Sequence, residues 1–196
     1  MICSGIDWSG SPDHDSSVYY AMVHVDNEHV ADLDMALRIA KARLHVPESF
    51  VFRHVGCSDA AHRVFYDAIA EVPFTARLLI VPPVPRGVSI RGHEEIRLAV
   101  VQLVLDCPEA VVAKQRLFID LERRDSKQVR ELRTRVRREL GAIGRRTFEN
   151  IQPCPDHRSE GGIVQFADML AGELREYRGI EGPYLPQLRQ KLIVVM

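Results

Sequence analysis

Two hydrophobic periods alternate along the chain, and their order predicts the elements. Ile2 to Ile6 is a short apolar run that stops at Asp7, before a Ser/Gly/Pro/Asp cluster from Ser9 to Ser17. It reads as a strand entering a loop. "VYYAMVHV" at 18–25 is β-branched and aromatic, a second strand and a natural hairpin partner of the first. From His29 to Leu44, the apolar residues Val30, Leu33, Ala36, Leu37 and Ala40 fall at helical spacing. "FVFRH" at 50–54 reads as a strand. Ser58 is an N-cap candidate for a helix carrying Ala61, Val64, Phe65, Ile69 and Ala70 and ending before Pro73.

"ARLLIV" at 76–81 predicts another strand, closed by a loop with Pro82, Pro83, Pro85 and Gly87. "HEEIRLAVVQLVLDC" from His93 is apolar nearly all round, which suggests a helix buried on more than one side. "RLFIDL" at 116–121 is a buried strand that meets a carboxylate, Asp120. A narrow apolar stripe of Val129, Leu132, Val136 and Leu140 makes 126–140 helical. "TFENI" at 147–151 is a short strand, and a last helix spans Ile163 to Tyr177. Strands alternating with helices after an opening hairpin predict an α/β fold, a mixed central sheet with helices on both faces.

Composition narrows this picture. With 196 residues, 46% of them hydrophobic and 7% aromatic, the chain supports one domain, residues 1–196, with one substantial core. A net charge of −1 gives no global attraction to nucleic acid or membrane, so electrostatic function has to come from local asymmetry. Cys3, Cys57, Cys107 and Cys154 are scattered with no C-x-x-C pair, which suits a reducing compartment and argues against a zinc ribbon or a disulfide framework. Neither a signal-peptide pattern nor an apolar run long enough to span a bilayer is present, so a cytoplasmic protein is expected. The tail "LRQKLIVVM" is apolar at its end and either packs on the domain or is shared in a homodimer.

Three carboxylates break the hydrophobic pattern. Asp7 and Asp120 each follow an apolar strand, where α/β sheets commonly carry binding groups. Asp168 lies at the edge of the apolar face formed by Ile163, Phe166, Ala167, Leu170, Ala171 and Leu174, on the flank of Val164 and Ala171, and is expected to face the sheet. Each alone reads equally as a turn, cap or helix-edge residue. Gathered by the fold, they would repel one another unless a cation such as Mg²⁺ or Mn²⁺ stabilised the charged forms. A two-metal arrangement of that kind activates water and stabilises the leaving oxygen of a phosphodiester.

Between Glu122 and Arg146 there are ten basic residues against four acidic ones. Arg123, Arg124, Lys127, Arg130 and Arg133 lead this run directly after Asp120. They form either a phosphate-binding face or a solvated helix paired with the acidic remainder of the molecule. His54 and His157 are candidates for a proton shuttle or phosphate contact, or are satisfied structural histidines. "HEEIR" lacks the second His of a zincin and "PCPDH" the second Cys of a zinc deaminase. Walker, Rossmann and Gly-x-Ser-x-Gly patterns are absent, so nucleotide hydrolase, dehydrogenase and serine hydrolase readings lack support.

The series as a whole resembles a family. "GIDWSGS" resembles the Asp-Glu-Ser-Gly start, "RLFIDLERRDSK" the central strand-Asp segment, and "GIVQFADMLAGELREY" the Gln-Leu-Ala-Asp-x-x-Ala-Gly signature of domain of unknown function 3800, a bacterial and phage family. "FVFRHVGCSDAAHRVFYDAI" and "PDHRSEGG" agree more weakly with its intermediate segments, so the likeness runs over nearly the whole chain. That family is similar to ribonuclease H-like proteins. The resemblance implies a metal-dependent nuclease or related phosphoryl-transfer site, with Asp7, Asp120 and Asp168 as catalytic residues and ligands of Mg²⁺ or Mn²⁺ and His54 beside them. Nucleic acid is then the expected partner. Trp8 stands where the family has Glu; with Ser9 it either contacts nucleic acid by stacking or packs in the core. Glu94, Glu95 and Asp156 are candidates for a fourth ligand. The second reading is a non-catalytic module of the same fold that binds nucleic acid or a protein partner.

Overall fold

The fold is built on a six-stranded mixed sheet in the order β5-β4-β1-β2-β3-β6. The structure is a computed structural model that describes residues 2–10, 17–83, 92–105, 115–120, 126–142, 148–153 and 162–195. β1 (Ile2–Ser9) and β2 (Val18–Asp26) form the expected antiparallel hairpin, and β3 (Thr75–Val81) extends it antiparallel to β2. β4 (Gln115–Ile119) lies parallel to β1 and β5 (Phe148–Pro153) parallel to β4. β6 (Leu192–Val195) adds parallel to β3, so the apolar tail packs on the domain's own sheet and buries Val195.

Strand alternation divides the core in two, because successive side chains point to opposite faces. One face carries Cys3, Tyr19, Ala21, Val23, Ala76, Leu78 and Phe118. It is covered by α1 (Val30–Arg43), α2 (Asp59–Ile69) and α5 (Gly162–Glu176). The other carries Ile6, Tyr20, Met22, Leu79, Leu117 and Ile119 under α3 (Gly92–Leu105) and α4 (Ser126–Ala142). The result is helix layers on both faces of a mixed sheet, as the hydrophobic periods predict. Ser58 caps α2 as expected, its hydroxyl accepting from the Ala61 N–H at 3.3 Å. None of the described helices is long and apolar enough to cross a membrane.

Two of the expected elements differ from the sequence reading. β1 continues to Ser9, because Trp8 and Ser9 still pair with Tyr20 and Tyr19 of β2; Asp7 therefore sits inside the strand rather than after it. "FVFRH" joins no named strand and instead forms an extended strap across α5. Its backbone donors are satisfied by helix side chains: the Phe52 N–H donates to Gln165 Oε1 at 3.1 Å and the His54 N–H to Asp168 Oδ2 at 2.7 Å. Phe52 is fully buried, so the alternation that mimics a strand is real burial, with α5 in place of a neighbouring strand.

Close approach of α5 to the sheet depends on Gly5. A Cβ there would lie 2.6 Å from the Ile163 carbonyl oxygen, a backbone atom of α5 that cannot rotate away. Gly5→Ala is expected to cost about 1–3 kcal/mol of stability, read as a lower urea midpoint with an unchanged slope.

Candidate metal site at the sheet's central strands

Parallel pairing brings the first two carboxylates together. Ile6 is in register with Ile119, and the Asp120 N–H donates to the Ile6 carbonyl at 3.2 Å, so the ladder runs one step past β4. Asp7 and Asp120 are thus side by side on adjacent strands, with Cα atoms about 4.8 Å apart by strand spacing. Both point to the α5 face: Asp7 follows Cys3 and Gly5 in alternation, and Asp120 follows Phe118. Asp7 is buried and Asp120 half-buried. Asp7 Oδ1 accepts from the Trp8 N–H at 2.7 Å.

α5 carries the third carboxylate over the same face. The helix is held on β1 near both ends, by Ile163 against Gly5 and by Arg175 Nη1 donating to Ser9 Oγ at 3.5 Å. Asp7 lies between the two strand anchors and Asp168 between the two helix anchors. Asp168 does not simply face the sheet, however. Its Oδ2 is taken by the strap at His54, and Gln165 and Gly172, one turn to either side, also meet the strap. A 100° advance per residue puts 165, 168 and 172 on one flank, which the strap covers. Among the described residues, the set that brings three ligand atoms within 4.8 Å of one another is a different one: His54, His62 and Glu173.

His54 touches Asp168 through its backbone. Its ring Nε2–H donates to Glu176 Oε2 at 2.9 Å, and burial lowers its pKa despite that carboxylate. The side chain packs against Gly172, where a Cβ would stand 2.1 Å from His54 Cγ. It is thus the backbone N–H of His54 that meets Asp168, while the imidazole meets Glu176.

The remaining candidates are distributed elsewhere. Trp8 points to the face opposite Asp7, half-buried beside Tyr20 with ring centroids 6.1 Å apart, so it packs in the second core as well as reaching solvent. Glu95 is buried on that same face and accepts from the Tyr20 hydroxyl at 3.1 Å. Glu94 pairs with Arg97 at 2.7 Å and with Arg135, which holds its carboxyl below the usual range. Neither glutamate is on the face of Asp7 and Asp120, which corrects their candidacy as fourth ligands. α4 also lies on the opposite face, with Lys127 and Arg130 exposed and Arg133 half-buried. One of its arginines, Arg135, pairs with Glu94 of α3, and its Glu139 pairs with Arg97 of α3. Arg123, Arg124, Asp156 and His157 lie outside the described residues.

His62 and Glu173 were not singled out by the sequence, and Gln165 and Gly172 only as the first and last positions of the Gln-Leu-Ala-Asp-x-x-Ala-Gly resemblance. Glu173 did carry a signal: at 100° per residue it falls in line with Phe166 and Leu170 on the apolar face of α5, where a carboxylate is unexpected.

No family model matches the chain, and no curated protein matches it. Solved structures do. The ribonuclease H2 of Pyrococcus horikoshii OT3 superposes with a TM-score of 0.56 at 13% identity, over 97% of this chain and 77% of that one. The RNase HII of Archaeoglobus fulgidus, solved in complex with PCNA, gives 0.56 at 15% identity over 97% and 78%. A point mutant of Bst-RNase HIII gives 0.53 at 18% identity over 96% and 54%. At these identities the likeness carries architecture alone, and the architecture is the ribonuclease H-like fold.

Proposed function

We propose that the chain is a divalent-metal-dependent nuclease or related phosphodiester-processing protein, with Asp7, Asp120 and Asp168 as metal ligands. The observation that carries this reading is the in-register placement of Asp7 beside Asp120, on the face that α5 covers. Two carboxylates at that spacing, one of them buried, favour a shared cation over mutual repulsion. An all-oxygen donor set suits Mg²⁺ or Mn²⁺. Bound there, the ion would supply an activated water and positive charge for the leaving oxygen.

The protein's own groups do the remaining work. The strap holds Asp168 through the His54 N–H, and the strand ladder fixes Asp7 against Asp120. Exposed Lys127 and Arg130, in the first turns of the helix that follows Asp120 and covers the sheet's other face, are proposed as contacts to nucleic acid away from the aspartates. Since Trp8 projects from the opposite face, its presence in place of the family's Glu does not alter the Asp7 side of the sheet. Trp8→Phe is accordingly expected to keep cleavage within about threefold while lowering stability by about 1 kcal/mol, read by parallel activity and thermal-melting assays.

The test is cleavage of single-stranded, duplex and RNA–DNA hybrid substrates with Mg²⁺ or Mn²⁺, by wild type and Asp168→Asn. The proposal requires metal-dependent cleavage that the variant loses. Nucleic-acid binding without cleavage, weakened by removing charge at Arg130 and Arg133, would instead establish the non-catalytic module.

A further inference from the structure

A second cluster, with ligand groups other than the three aspartates, involves the strap. His54 comes from the strap, His62 from the first turn of α2 and Glu173 from the buried side of α5. One potential ligand atom from each lies within 4.8 Å of the other two. His54 Nδ1 and Glu173 Oε2 are buried side-chain atoms with no hydrogen-bond partner among the described residues. The His54 side chain is only 9% exposed and Glu173 is fully buried. Each of these two orphaned polar atoms carries a cost of about 1–3 kcal/mol unless something binds it.

The hydrogen bonds around the cluster fix its chemistry. His54 Nε2–H donates to Glu176, which leaves the Nδ1 lone pair free. His62 Nε2–H donates to the His54 carbonyl oxygen at 3.2 Å, so its free lone pair is on Nδ1 as well. A carbonyl and a carboxylate can only accept, so neither tautomer is ambiguous. A carboxylate that orients the distal nitrogen of a histidine is the arrangement that supports metal-ligating imidazoles. Glu173 is steadied on its other oxygen by the Tyr184 N–H at 3.4 Å, and Gly182 leaves it room, since a Cβ there would lie 2.6 Å from Oε1.

We propose that His54, His62 and Glu173 form a zinc-class transition-metal site, distinct from the aspartate site, that ties the strap to α2 and α5. Two neutral imidazoles and one carboxylate are a borderline donor set that favours Zn²⁺ and its neighbours over Mg²⁺ or Ca²⁺. Tetrahedral coordination at about 2.0–2.2 Å needs ligand atoms about 3.3 Å apart, a contraction within side-chain rotation. Water fills the fourth position. Burial holds the Glu173 pKa up to about 7. Because the His54 N–H also holds Asp168, the ion fastens the segment that positions the third aspartate.

The full chain, stripped of metal with chelator, is titrated with Zn²⁺ by calorimetry and with Co²⁺ by visible absorption. The site predicts one ion bound per chain at micromolar Kd or tighter, a tetrahedral Co²⁺ band, and a rise in melting temperature with Zn²⁺. Glu173→Gln and His62→Ala should each weaken binding by about a hundredfold or more and abolish the band, whereas Asp7→Asn should leave both intact. Glu173→Gln is isosteric and decides the matter if His62→Ala does not fold. Absence of the stoichiometric ion from wild type, or an ion lost in Asp7→Asn and kept in Glu173→Gln, overturns the proposal. Neither result by itself decides whether the aspartates support cleavage.

Discussion

Asp120→Asn will lower metal-dependent cleavage by about a hundredfold or more, and in metal-free buffer it will make the protein more stable than wild type. Both effects follow from one geometry. Asp7 and Asp120 are neighbours across a parallel ladder, on the same face, with Asp7 buried. At about 5 Å and an effective dielectric near 20, two full charges repel by about 3 kcal/mol, an upper bound because Asp120 is half-buried and solvent screens it. Neutralising one carboxylate relieves that repulsion and removes a metal oxygen at the same time. The signature is a crossover in melting temperature: Asn above Asp without divalent ion, Asp above Asn at millimolar Mg²⁺ or Mn²⁺. A variant destabilised in both conditions would mean that Asp120 is a structural acceptor only.

Gly172→Ala has the second largest expected effect. In an exposed helix the change would gain about 1 kcal/mol of helix propensity. Here the new methyl would overlap the His54 ring, with contacts of 2.1 to 2.5 Å to three ring and side-chain carbons. His54 must swing away, breaking its bond to Glu176 and shifting the N–H that holds Asp168. Overpacking of that severity costs about 3 kcal/mol or more and outweighs the propensity gain. The expected outcome is a melting temperature lower by several degrees, with reduced cleavage at saturating metal and weakened zinc binding. A stabilised Gly172→Ala protein with intact cleavage would show that the strap is not coupled to the site.

The regular elements were legible because burial imposes its period directly on sequence. β2, α1 and α2 bury most of the residues whose spacing announced them, Ser58 caps where expected, and Asp7 and Asp120 stood out as acids at the ends of apolar runs. Register could not be read. Nothing local says that Ile6 pairs with Ile119, so the adjacency of Asp7 and Asp120 follows only from the fold. The strap shows the limit in the other direction: Phe50 and Phe52 alternate like a strand, yet the strap's backbone is satisfied by Gln165 and Asp168 side chains more than a hundred positions away. The side of the sheet on which α4 falls was equally hidden, since its apolar stripe of Leu132, Val136 and Leu140 fits either face. Trp8 changes meaning for the same reason, because one step along a strand moves a side chain to the opposite face.

The decisive measurement is manganese anomalous scattering from a crystal soaked at millimolar Mn²⁺. A metal centre on the central strands gives an anomalous peak bonded by oxygens of both Asp7 and Asp120, with Asp168 in its coordination sphere directly or through water, and that peak is lost in Asp120→Asn. Carboxylates that remain without the ion at saturating Mn²⁺, or a peak only at His54, His62 and Glu173, would contradict a catalytic metal centre there.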